Sequence, residues 1–161
     1  MKKPGANGLT LMEVMITVVI IGILAAIAYP NYSRYVAETR RSDATINLTR
    51  IAALQEKFFT ECGVYATALD TPLACGPNPP NPPRSLLSGL TAGVTTDGYY
   101  TLTATLGDPN TDGGYLLTAV PAGTQATADT TKCTNLTINA LGRKTAAGTD
   151  GGPTGGKCWK K

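Results

Sequence analysis

Glu13 is the first residue whose surroundings call for a chemical explanation. It is the single charge within Leu9–Tyr29, a run of 21 residues otherwise made of apolar, small and hydroxyl-bearing side chains. As a helix the run is about 31 Å long, enough to cross a hydrocarbon core of ~30 Å. An acid inside such a segment costs roughly 2.5–3.5 kcal/mol, so its retention implies a cationic partner. A chain cut after Gly8 supplies one, because Leu9 then carries an α-ammonium group close to Glu13. An ordinary secretory signal is the rival reading. Lys2 and Lys3 resemble its basic region and Ala26-Ile27-Ala28 its cleavage site. A disposable segment, however, has no use for Glu13.

Two more groups of residues carry chemistry. Cys62, Cys75, Cys133 and Cys158 form no C-x-x-C pair, and the chain has no His. Both facts weaken a metal reading and favour disulfides made in an oxidising compartment. Four cysteines allow three connectivities; short loops close most easily, which favours Cys62–Cys75 with Cys133–Cys158. A bond between Cys133 and Cys158 would gather Lys132, Lys157, Lys160 and Lys161 around Trp159. Such a patch could hold a DNA backbone and stack a base, whereas the plainer reading is a solubilising C-terminus. Residues 60–131 hold six acids and one base, and residues 132–161 six bases and one acid, so the folded surface should have an acidic and a basic part.

Other signals fall away. Asp108-Pro109-Asn110-Thr111-Asp112-Gly113 opens like a calcium loop, but Ala119 stands where the bidentate Glu belongs. No G-x-S-x-G, Walker loop or paired-carboxylate motif is visible. No enzyme, metal or cofactor is expected.

The elements that position these residues follow from periodicity. Beyond Pro30, Ala44, Leu48, Ile51, Leu54 and Phe58 recur at steps of three and four, the core stripe of a helix ending near Thr60–Gly63. Arg34, Glu38, Arg40, Arg41 and Asp43 are placed on its wet side, with i,i+3 and i,i+4 pairing. Gly22 and Pro30 mark where the helix should bend or melt on packing. Six prolines in residues 72–83 predict an irregular loop. Three alternating segments follow: Tyr100–Leu106 with Thr101, Thr103 and Thr105 outward, Tyr115–Val120, and 135–140. They predict an antiparallel sheet with one face on the helix.

The run GLTLMEVMITVVIIGILAAIAYPNY resembles the class III signal of type IV prepilins, with Gly8, Glu13 and Pro30 in the family's positions and Leu9 where Phe is usual. The stretch from Tyr29 to Ala66, with its R-x-D-A, QE-x-F and G-x-Y elements, is most similar to PilE-type minor pilins. The resemblance implies an α+β type IV pilin fold: a long N-terminal helix on a small antiparallel sheet, with a disulfide-bounded C-terminal region. It divides the chain into a leader (1–8), an apolar transmembrane and assembly helix (9–29) and a globular head (30–161). It also implies that a prepilin peptidase cuts Gly8–Leu9 and N-methylates Leu9. Glu13, with Gly22 and Pro30 nearby, would then set subunit assembly by pairing with the Leu9 ammonium of a neighbour. The expected partners are other pilin subunits, the prepilin peptidase, the inner-membrane assembly machinery, the membrane before assembly, and DNA. The expected place is the bacterial inner membrane, then the extracellular pilus. A structural subunit serving assembly, twitching motility, adhesion or DNA uptake is the function implied; the alternatives are a DNA-binding receptor of a competence system and a type II secretion pseudopilin.

Overall fold

The computed structural model describes residues 10–66, 69, 93–108, 110 and 112–159. The order of elements is α1 (Leu11–Cys62), β1 (Tyr100–Leu106), β2 (Tyr115–Pro121), α2 (Gly123–Ala128), β3 (Asn135–Asn139) and β4 (Lys144–Ala147). Contacts divide the chain into two units, Met1–Val36 and Ala37–Lys161.

The first unit is the apolar part of α1. Its best 18-residue window has a mean hydropathy of 2.6, and none of it is buried. Water is a poor solvent for Ile16, Val19, Ile20, Ile23 and Ile27, all of them exposed, so this surface requires lipid or other apolar helices. The helix continues through Pro30. Pro30 offers no N–H to the preceding turn, and polar side chains bond the backbone beside it: Asn31 Nδ2 donates to Ile27 O at 3.2 Å and Ser33 Oγ to Pro30 O at 3.0 Å.

The second unit is the head. Its sheet is an antiparallel meander in the order β1-β2-β3-β4, with Leu102 opposite Ala119, Leu117 opposite Ile138 and Leu136 opposite Ala146. Period-two alternation sends Tyr100, Leu102, Tyr115, Leu117, Ala119, Leu136 and Ile138 to one face, where they form a single core with Ala44, Leu48 and Ile51 of α1. Each large side chain so buried contributes about 1.5–3 kcal/mol. The helical stripe and three of the strands lie where the sequence places them. β4 and α2 are additional.

The wet-side placement fails for Arg41 and in part for Asp43, which is half-buried. Arg41 faces the core instead of solvent, pairing with Asp129 at 2.5 Å, their side chains 9% and 0% exposed. Asp129 closes the C-terminus of α2 and lies 88 positions away in the chain. Tyr100 donates its hydroxyl to the same carboxylate at 3.2 Å, and Gln125 Nε2 donates to it at 2.7 Å and to Ala37 O at 3.2 Å. Bonded to Asp129, the guanidinium holds its proton more tightly than usual, while burial pushes the Tyr100 hydroxyl far up. The network fastens α2 and β1 to α1. Arg40, on the helix surface, donates to Thr124 Oγ1 at 3.1 Å and lies 3.9 Å from the centre of the Tyr99 ring. The Pro-rich loop lies outside the described residues.

Candidate functional site

At the start of α1, Thr10 caps the helix: the Glu13 N–H donates to Thr10 Oγ1 at 3.3 Å. Thr10-Leu11-Met12-Glu13 is the T-x-x-E spacing of a capping box, a signal already present in the sequence. The acid therefore sits in the first turn, where the positive end of the helix dipole favours a negative charge. Gly8 and Leu9 lie outside the described residues.

The head motif on α1 has a structural account residue by residue. Arg41 binds Asp129. Ala44 is fully buried and leaves room for the sheet. The Gln55 amide pairs with the Ala66 backbone in both directions, Nε2 to O and Oε1 from N, each at 2.9 Å. The Tyr65 hydroxyl donates to Glu56 at 3.4 Å, and its ring stacks on Phe59 with centroids 4.5 Å apart. Gly63 takes φ +72° immediately after the last helical residue, the left-handed conformation that ends a helix and suits glycine. The chain leaving α1 is thus aimed by Gln55, Glu56 and Phe59 of the helix, by Tyr65 beyond it, and by one glycine.

Asp43, on the same helix, is half-buried. It accepts from Asn47 Nδ2 at 2.9 Å, and its second oxygen is buried with no partner among the described residues. Burial, with the like charge of Asp97, raises its pKa above the ordinary carboxylate range, against the pull of hydrogen bonds from Thr95 and Asn47.

The basic residues assemble along β4, an edge strand. Cys133 and Cys158 form a disulfide with Cα atoms 5.8 Å apart, both cysteines buried in the core. Asp150 joins the two lysines next to them: its N–H donates to Lys132 O at 3.0 Å and its carbonyl accepts from Lys157 N at 2.9 Å. The turn between β3 and β4 adds Arg143, whose N–H is received by Asn139 Oδ1 at 2.9 Å. Lys144 opens β4 opposite Ile138. Trp159 donates its indole N–H to Thr145 O at 2.8 Å, and the Lys144 ammonium lies 5.1 Å from its ring centre. Gly155, at φ +80°, passes so close to the indole that an added Cβ would lie 2.3 Å from Cδ1. Trp159 therefore pins the tail to β4 and carries Lys144 on its ring.

Lys132, Arg143, Lys144 and Lys157 are all exposed, and Asp150 is the one acid in this part of the sequence. The structure brings together Lys132, Lys157 and Trp159 of the sequence patch and adds Arg143 and Lys144. Those two were legible as bases, but only strand pairing places them. Lys160 and Lys161 lie outside the described residues, as does Cys75. Cys62 is disulfide-bonded.

Comparison with known proteins matches the two parts of the chain separately. Residues 3–29 match the prokaryotic N-terminal methylation motif, and residues 30–137 match the family described as type IV minor pilin ComP, DNA uptake sequence receptor. The type IV major pilin protein PilA of Myxococcus xanthus is 46% identical over 64 residues, 40% of this chain and 29% of that protein. A type IV major fimbrial protein FimA of Dichelobacter nodosus is 32% identical over 132 residues, 82% of this chain and 60% of its own length. A fimbrial protein of Pseudomonas aeruginosa is 44% identical over 55 residues, 34% of this chain and 36% of that protein. The chain spans less than two thirds of the length of each of these relatives. With the methylation motif at its start, an apolar helix running into a four-stranded head, and the ComP match over most of its length, the chain belongs to the type IV pilins, in the minor pilin family of ComP.

Proposed function

We propose that this chain is a minor subunit of a type IV pilus and that its head binds DNA along the β4 edge. The leader ends at Gly8, the mature chain starts at a methylated Leu9, and residues 9–29 hold the subunit in the inner membrane until it enters the filament. Glu13 then meets the Leu9 ammonium of a neighbouring copy, an arrangement that neutralises two charges in an apolar setting. Gly22 and Pro30 are where the helix gives way as copies pack. The head reaches the cell exterior with the filament. In this account the chain does mechanical and binding work, with no catalytic step of its own.

The DNA reading is carried by one observation: Lys132, Arg143, Lys144 and Lys157 are exposed on one disulfide-held edge with a single acid among them. The relatives of the ComP family, described as DNA uptake sequence receptors, support the same assignment. Four phosphate contacts predict a log–log salt slope of roughly −3.6, a loss of ~100-fold in affinity between 50 and 200 mM salt. Fluorescence anisotropy with a labelled duplex measures it. Charge reversal at Lys132, Lys144 and Lys157 together should abolish binding, and affinity that survives it would remove the assignment.

A further inference from the structure

Three tyrosines follow the apolar surface of α1 at its head-side end. Tyr29, Tyr32 and Tyr35 come at steps of three and are 77%, 69% and 68% exposed, so their rings share one side of the helix, within about 120° of its circumference. The neighbouring polar side chains Asn31 and Ser33 turn back onto the helix, bonding Ile27 O and Pro30 O. The phenols reach outward, each an apolar ring with a polar end, and such side chains settle where hydrocarbon meets headgroups. Arg34, also exposed, extends a charge to the same level on a long stem. Spacing along the helix supplies a second observation. The chain carries no charge between Glu13 and Arg34. Glu13 and Tyr32 are 19 residues apart, about 29 Å along a helix, against ~30 Å for the hydrocarbon core. With Tyr32 at one boundary, Glu13 lies at the other, among headgroups and water. Lys2 and Lys3 precede the run and favour a cytoplasmic N-terminus, which puts the tyrosines at the outer leaflet.

We propose that Tyr29, Tyr32 and Tyr35 form an anchor in the headgroup layer of the outer leaflet and set the depth of the subunit in the membrane before assembly; the inference rests on the membrane reading above. The hydroxyls donate to phosphate and ester oxygens of the lipid while the rings lie against the upper acyl chains. The stripe continues the lipid-seeking surface of the helix and ends it with groups that need both phases. Held at this depth, Glu13 stays hydrated at the inner boundary. It meets its full desolvation cost only on entering the filament, where the Leu9 ammonium of a neighbour receives it.

The test uses the full chain in vesicles of phosphatidylethanolamine and phosphatidylglycerol, with a nitroxide on Ile16→Cys and its depth read by power-saturation EPR. No cysteine among the described residues is free to take the label instead. Ile16 is three residues from Glu13, so the label should lie ~5 Å inside the hydrocarbon boundary. Replacing all three tyrosines with Leu leaves Arg34 as the anchor, and its long stem tolerates a helix seated about one turn nearer the cytoplasm. The label should then rise by ~5 Å, into the headgroups. Replacing all three with Trp, which keeps an apolar ring and a polar N–H, should hold the parental depth. None of the three belongs to the core of the head, so head melting should be the same in every variant. A Leu variant whose label keeps its depth or sinks would overturn the anchor, and that is the result expected of a stripe that serves only contacts between copies. A Trp variant that shifts as the Leu variant does would overturn it too. A parent whose label shows no membrane depth at all would bring down the membrane reading and the anchor with it.

Discussion

Replacing Asp129 with Ala should be among the most damaging single changes in the head. The carboxylate has no exposed surface, and its partner's side chain is only 9% exposed. Without Asp129 the Arg41 guanidinium keeps its charge in a site that water scarcely reaches, and Tyr100 and Gln125 lose a shared acceptor. Breaking a buried pair from one side costs about 3–5 kcal/mol. For a domain of this size each kcal/mol moves the melting temperature by ~4 °C, so the fall should be roughly 12–20 °C. Circular dichroism melts of the chain without its first 28 residues would measure it. The double variant Arg41→Met with Asp129→Leu removes both charges and should recover most of the loss, because a buried ion pair adds little over apolar side chains of similar volume. If Asp129→Ala melts within a few degrees of its parent, or the double variant is as unstable as the single one, the network does not hold α2 and β1 to the helix.

Two further outcomes follow from the head. Asp43 has a raised pKa in the folded state, so the native form binds the proton more tightly than the unfolded chain. Its contribution is favourable below about pH 4 and is lost as pH rises through the folded pKa. Asp43→Asn should therefore stabilise the head at neutral pH and flatten its stability profile just above pH 4, which urea melts at several pH values would reveal. Gly155→Ala places a methyl group against Trp159 at a positive φ and should cost about 1–3 kcal/mol. Its signature is a red shift of Trp159 fluorescence as the indole leaves β4, and an unshifted spectrum would show that the tail does not depend on this close approach.

Much of this fold can be read from periodicity, and the parts that cannot have physical reasons. α1, β1, β2 and β3 bury regular apolar stripes, which a period of 3.6 or 2 exposes. β4, with the sequence KTAA, has no apolar alternation and exists through its pairing with β3. α2 buries only Gln125, a polar residue with no stripe around it. Arg41 looks like a surface charge because nothing nearby in sequence announces Asp129. The candidate site divides the same way. The Cys133–Cys158 pairing followed from loop length and brought Lys132 to Lys157, whereas Lys144 and Arg143 arrive through strand register. The sequence offers Trp159 as a ring that could stack a base, and only the fold shows that its N–H donates to Thr145 O and that the Lys144 ammonium lies 5.1 Å from its ring centre. Glu13 was legible from its cost alone, being one charge in an apolar helix.

The most direct test of the account is the amount of Glu13→Leu chain that enters pili. Sheared filaments and membranes would be quantified by immunoblot, with mass spectrometry of the mature N-terminus to verify the cut at Gly8 and the methyl group on Leu9. The variant should be cut, methylated and held in the membrane like its parent, yet reach the filament at about a tenth of the parental level or less. Incorporation at the parental level would contradict the pairing of Glu13 with a neighbour's N-terminus, and with it the assembly mechanism.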